Sequence, residues 1–168
     1  MEYLFFLAAI VFAYLYWDLK KKQLIQQSQQ AAQQKIVTEQ KIWEDYIRQF
    51  DPEKNKVPLP PEYTKVAGVT YQNTDTGEDR QKIIGKLKNG EKLLLIPDEQ
   101  NPFDREAVKV VRLSGEQIGF LNADLAIEIK SRLKSGSRVD ARVVSITGET
   151  PKGVNIELVK YSRKPPKF

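Results

Sequence analysis

Apolar and polar positions along the chain fall into three regimes. From Tyr3 to Trp17 no residue is charged and most are apolar, without periodicity, a pattern that predicts a helix apolar on every face. These 15 residues rise only ~22 Å as a helix, against a hydrocarbon core of ~30 Å. Tyr14, Tyr16 and Trp17 nevertheless form an aromatic belt, and Lys20-Lys21-Lys22 follow with stems long enough to reach headgroups. Residues 1–19 are therefore read as an uncleaved transmembrane anchor that meets the membrane through residues 3–17. Glu2 ahead of the run and the lack of a small-x-small site after it argue against a cleaved signal peptide. An interfacial helix is the lesser alternative. With the lysines on the C-terminal side, the positive-inside rule predicts a single-pass protein of the cell membrane whose C-terminal domain is cytoplasmic.

The second regime runs from Asp18 to Phe50, without Gly or Pro and dominated by Gln, Ala, Lys and Glu. It predicts a Gln-rich helical stalk over residues 20–50, ~46 Å long. Ile25, Ala32, Ile36, Trp43, Tyr46 and Phe50 make a rough heptad interrupted at Gln29 and Glu39. Both coiled-coil self-association through the Trp43 end and a lone solvated helix fit this pattern. Asp51-Pro52 stops the helix, and Val57-Pro58-Leu59-Pro60-Pro61 reads as a stiff linker within residues 51–62.

In the third regime, residues 63–161, short alternating runs are separated by turn signals. Strands are expected at residues 63–71, 92–96, 107–113 and 117–121, and again from Val139 and over residues 154–159. One helix, with a capping box at Thr76-Gly77-Glu78-Asp79, should carry Ile83, Ile84 and Leu87 and stop at Asn89-Gly90. Another, capped by Asn122, should carry Leu125, Ala126, Ile129 and Leu133 and stop at Ser135-Gly136. The fold class is α+β: a small antiparallel, barrel-like sheet with two helices, preceded by the transmembrane helix and stalk and followed by a basic tail over residues 162–168.

Charge adds asymmetry. Of 27 Lys and Arg and 22 Asp and Glu, the first 63 residues hold eight of each, so all of the +5 excess lies in the C-terminal part. Such a surface suits phosphates or anionic lipid heads. The chain has no Cys and no His, which removes thiolate nucleophiles, imidazole bases and ordinary zinc sites. Only carboxylate chemistry remains, and the chain is read as a non-enzyme without cofactor or metal.

The stretch with chemical character is Asn101-Pro102-Phe103-Asp104. Asn before Pro is pushed out of the helical region and Pro102 fixes its own φ, so a ring and a carboxylate are held at a defined angle. The plain alternative is a β-turn whose Asp caps its own backbone and whose Phe plugs a core. This stretch, continued by Ala107-Val108-Lys109-Val110, resembles the Asn-Pro-aromatic-Asp-x-x-Ala-Val/Ile-x-Val signature of the HIRAN domain family. Val66-Ala67-Gly68-Val69-Thr70-Tyr71, Gly90 to Leu95 and Gly115 to Leu121 lie around it in the family's order. The resemblance covers roughly residues 64–160.

What the resemblance implies is a partly open barrel that binds single-stranded DNA with preference for a free 3′-hydroxyl end. Phe103 and Tyr71 would then stack on bases, and Asp104 and Asn101 would meet the terminal hydroxyl. Arg80, Arg105 and Lys109, with Lys82, are the candidates for phosphates. Thr70 stands where eukaryotic relatives carry an arginine, and Phe103 replaces the signature tyrosine. The alternative is a non-catalytic protein-interaction or scaffold module, with docking on anionic lipid a third reading.

Overall fold

In this computed structural model the described residues are 2–164, with side chains described from residue 12 onward. Two compact units divide at Lys41 and Ile42. The first unit lies within helix α1 (Glu2–Arg48). Its side chains from residue 12 are exposed apart from half-buried Asp18 and Glu39, which pair with Lys22 at 2.7 Å and Lys35 at 3.9 Å.

Among the described residues no helix is long and apolar enough to cross a membrane. That overturns the expected transmembrane anchor and single-pass localisation. The physical reason is length: the apolar run gives out at Asp18 and the lysines at Lys20–Lys22, short of the ~20 apolar residues that a span needs. The anchor's side chains at residues 1–11 lie outside the described residues, as do residues 165–168 of the expected basic tail.

The second unit is built on antiparallel strands: β1 (Val57–Pro58), β2 (Glu62–Lys65), β3 (Lys92–Pro97), β4 (Val108–Arg112), β5 (Gln117–Phe120), β6 (Val139–Thr147) and β7 (Gly153–Ser162). Their order is β1-β7-β6-β3-β4-β5, with β2 also on β7. The expected barrel is not closed. The ladder is open, and across its gap Ala67, beyond the end of β2, and Phe120 of β5 form an isolated bridge, whose amides and carbonyls exchange hydrogen bonds of 2.8 and 3.0 Å. Gly119 permits that approach, because a Cβ there would lie 2.4 Å from the Ala67 carbonyl oxygen.

Alternation sets the core. Val154, Ile156 and Leu158 of β7 and Val139, Ala141 and Val143 of β6 point inward with Leu93, Leu95, Val108 and Val110, each larger aliphatic contributing about 1.5–3 kcal/mol by burial. Helix α3 (Ala123–Lys134) closes the core with Ala126 and Ile129, and Asn122 Oδ1 caps it by accepting from the Leu125 amide at 3.0 Å. Helix α2 (Arg80–Ile84) is a single turn and buries Ile83 and Ile84. It starts later than expected because Asp79, and not Thr76, is its cap, with Oδ1 accepting from the Gln81 amide at 2.8 Å. Lys86 and Leu87 continue only as tight turns, their amides bonded to the Ile83 and Ile84 carbonyls.

Two expectations for residues 43–62 also change. The Trp43 end, read as a self-association seam, is used within its own unit. The Tyr46 hydroxyl donates to the Leu95 carbonyl at 3.2 Å, Lys92 Nζ lies 4.6 Å over the Trp43 ring, and Phe50 is 7% exposed. Ile25, Ala32 and Ile36 stay exposed. The residues expected to form a free linker hold a 3₁₀ turn at Pro52–Lys54 and strand β1, paired through Val57↔Ser162 and Pro58↔Tyr161. Pro58 fits there because β1 is an edge strand.

Candidate nucleic-acid interface

The Asn101–Asp104 turn joins β3 to β4, and its own side chains set its shape. Asn101 Oδ1 accepts from the amides of Phe103 and Asp104, each at 3.0 Å, and Asn101 Nδ2 donates to Asp98 Oδ2 at 3.1 Å. Asp104 Oδ1 accepts from the Glu106 amide at 2.8 Å, leaving Oδ2 without a hydrogen-bond partner among the described residues. From behind, buried Lys130 of α3 donates to the Arg105 carbonyl and lies 3.6 Å from Glu99 Oε2. The backbone is thus held while the Phe103 ring stands 92% exposed. An aromatic ring so placed serves no packing role in the fold, because burial is what makes an aromatic stabilising.

The facing wall is built around a buried arginine. Arg80 is 4% exposed, its Nε donating to Asn73 Oδ1 at 2.6 Å and its Nη1 to the Gly68 carbonyl at 2.8 Å. The guanidinium sits 5.0 Å from the centre of the Phe120 ring. Burial lowers its pKa, opposed in part by the Asp75 carboxylate. Gly68 turns the backbone at φ +69°, and a Cβ there would meet Arg80 Nη1 at 3.0 Å. Just beyond it Tyr71 is 68% exposed.

Between these walls lies a groove of about 750 Å³ lined by Tyr71, Arg80, Asn101, Phe103, Asp104 and Lys109. Six of the eight candidates are brought together, and Arg105 and Lys82 are not on the lining. Asp75, Asp98 and Phe120 also line it and escaped the sequence reading. Phe120 lay inside the quoted Gly115-to-Leu121 stretch, whereas Asp98 and the turn residue Asp75 carried no local signal. Three carboxylates therefore face two cations. Lys109 Nζ is 3.5 Å from Asp98 Oδ2 and 4.0 Å from Asp75 Oδ2. Asn101 spends its side chain on the turn, and Arg80 is a strut of the wall, its Nη2 without a hydrogen-bond partner among the described residues.

Chemically, the groove offers two exposed π-faces, one free carboxylate oxygen at its tip and a lining with one more carboxylate than cations. The HIRAN domain family model matches residues 63–160. The Helicase-like transcription factor of Oryctolagus cuniculus is 31% identical over 71 residues, which are 42% of this chain and 6% of that protein, so the match spans a small part of that relative's length. The crystal structure of the HIRAN domain of human HLTF is similar with a TM-score of 0.53 at 20% identity, covering 66% of this chain and 82% of that one. A solution structure of the HLTF HIRAN domain in its DNA-bound conformation is 20% identical, covers 64% of this chain and 80% of that one, and has a TM-score of 0.48.

Proposed function

Because this chain belongs to the HIRAN domain family, we propose that its second unit is a DNA-binding module that takes single-stranded DNA by a free 3′-hydroxyl end. The reading is carried by one observation: Phe103, 92% exposed, and the free Oδ2 of Asp104 share a groove with the exposed ring of Tyr71. Stacking on each ring contributes roughly 1–3 kcal/mol per base. Asp104 Oδ2 accepts from a terminal hydroxyl and repels a terminal phosphate. Arg80 Nη2 and Lys109 stand at the groove floor for the phosphate nearest that end. Sequence-independent stacking makes the recognition one of ends and not of base order.

Three carboxylates against two cations in the lining favour a second reading, in which a basic segment of a partner protein docks in the groove. One titration separates the two. Oligonucleotides labelled at the 5′ end and closed by a 3′-hydroxyl or a 3′-phosphate are bound to the wild-type chain and to Asp104→Asn. The wild type is expected to prefer the hydroxyl by roughly tenfold or more, given charge repulsion at close range. Asp104→Asn keeps an oxygen for the Glu106 amide and loses that preference. Equal affinity for both ends in the wild type overturns end recognition, and no binding at low salt leaves the protein-docking reading.

A further inference from the structure

We propose that Lys82 and Lys152 form a phosphodiester-binding shoulder outside the groove, so that the preferred ligand is a strand continuing several nucleotides 5′ of its bound end. This rests on the groove being a strand-end site, and it answers a difficulty that the groove itself raises. A strand carries one phosphate per nucleotide, yet Lys109 faces Asp98 and Asp75, and Arg80 has two of its donors committed to Asn73 and Gly68. Charge neutralisation has to come from cations elsewhere along the strand's path.

The path is marked by Gln81. Its Nε2 donates to the Val69 carbonyl at 2.8 Å and to the Lys152 carbonyl at 3.0 Å, while its Oε1 accepts from the Lys152 amide at 2.7 Å. One side chain thus ties the 68–71 wall, which ends in Tyr71, to the turn between β6 and β7. On the far side of that tie, Lys152 Nζ lies over the last turn of α2: a Cβ on Gly85 would be 4.0 Å from it and 3.4 Å from the Lys82 carbonyl oxygen. Lys82 is exposed and Lys152 half-buried. Lys86 nearby is neutralised by Glu116 at 3.1 Å, whereas Lys82 and Lys152 have no ion-pair partner among the described residues. On this proposal a strand with its 3′ end at Asp104 passes Tyr71 and follows the Gln81 tie to the segment that carries Lys82 and Lys152, whose ammonium groups recognise phosphodiesters as point charges without reading bases.

The test uses the full chain, wild type and K82Q/K152Q, with 5′-labelled thymidine oligomers of three and of twelve nucleotides, each prepared with a 3′-hydroxyl and with a 3′-phosphate, over a range of salt. In the wild type the longer oligomer is expected to bind more tightly and with a steeper salt dependence. In the double variant it should bind about tenfold more weakly at 0.1 M salt and lose roughly 0.7 of logarithmic salt slope per lysine, with the short oligomer unaffected. If the wild type binds both oligomers with a 3′-hydroxyl preference and the double variant matches it on the long one in affinity and slope, the shoulder is overturned while the strand-end reading stands. If the wild type binds neither oligomer, the strand-end reading falls and the shoulder with it.

Discussion

Phe103 and Arg80 invert the usual residence of their side chains, one an apolar ring in water and the other a guanidinium 4% exposed. The first inversion was legible only in part, because Asn101 and Pro102 fix the turn but leave open whether the next ring points outward or plugs a core. The second was not, because Arg80 is buried only where Asn73 and Gly68 are brought to it, and neither residue announces that role locally. Asn101, read both as a ligand contact and as a residue that shapes the turn, holds the turn with both ends of its amide. Phe103→Ala is expected to leave the urea midpoint unchanged, since exposed positions shift stability by less than about 0.5 kcal/mol. The same variant should weaken oligonucleotide binding by roughly 1–3 kcal/mol. A loss of stability that matches the loss of binding would show the ring to be structural.

Among elements, those with strong alternation and good caps were read well: β3 to β7 and α3 lie where the pattern put them, within a residue or two for most ends. The first strand, expected over residues 63–71, ends at Lys65, α2 is a single turn that ends at Ile84, and two further segments took other roles. Val57-Pro58 carries a polyproline signature, and only a sheet edge that tolerates a missing donor turns it into β1. The helical pattern through Trp43, Tyr46 and Phe50 looked like a seam for another chain and is satisfied at home. That local docking has a titration signature. Burial, ahead of the opposing hydrogen bond to Leu95, raises the Tyr46 phenol from 10.0 to about 12. Below pH 10 folded and unfolded chains both hold the proton, so its contribution is constant. Between pH 10 and 12 the unfolded chain loses the proton first, and stability falls by up to roughly 2–3 kcal/mol. Tyr46→Phe should cost about 1 kcal/mol at neutral pH for the lost hydrogen bond and flatten that decline. Urea titrations of both proteins across this range isolate the difference, because the other tyrosines and the lysines titrate in each; parallel curves would refute the burial of the phenol.

At the scale of the whole molecule, the division at Lys41 and Ile42 implies that the second unit needs the end of α1 and not its beginning. A chain starting at Ile42 is expected to unfold at the same urea concentration as the full chain. One starting at Asp51 loses Trp43, Tyr46 and the buried Phe50 and should be destabilised by about 3 kcal/mol or more. Equal midpoints for the two truncations would mean that α1 contributes nothing to the sheet. The tip has a consequence in time as well as in strength. Asn101 already holds the backbone of Phe103 with its ring in solvent, so no segment has to reorganise when a ligand arrives. Capture should therefore run at the speed of encounter, and ligands of different quality should differ in how long they stay rather than in how fast they come.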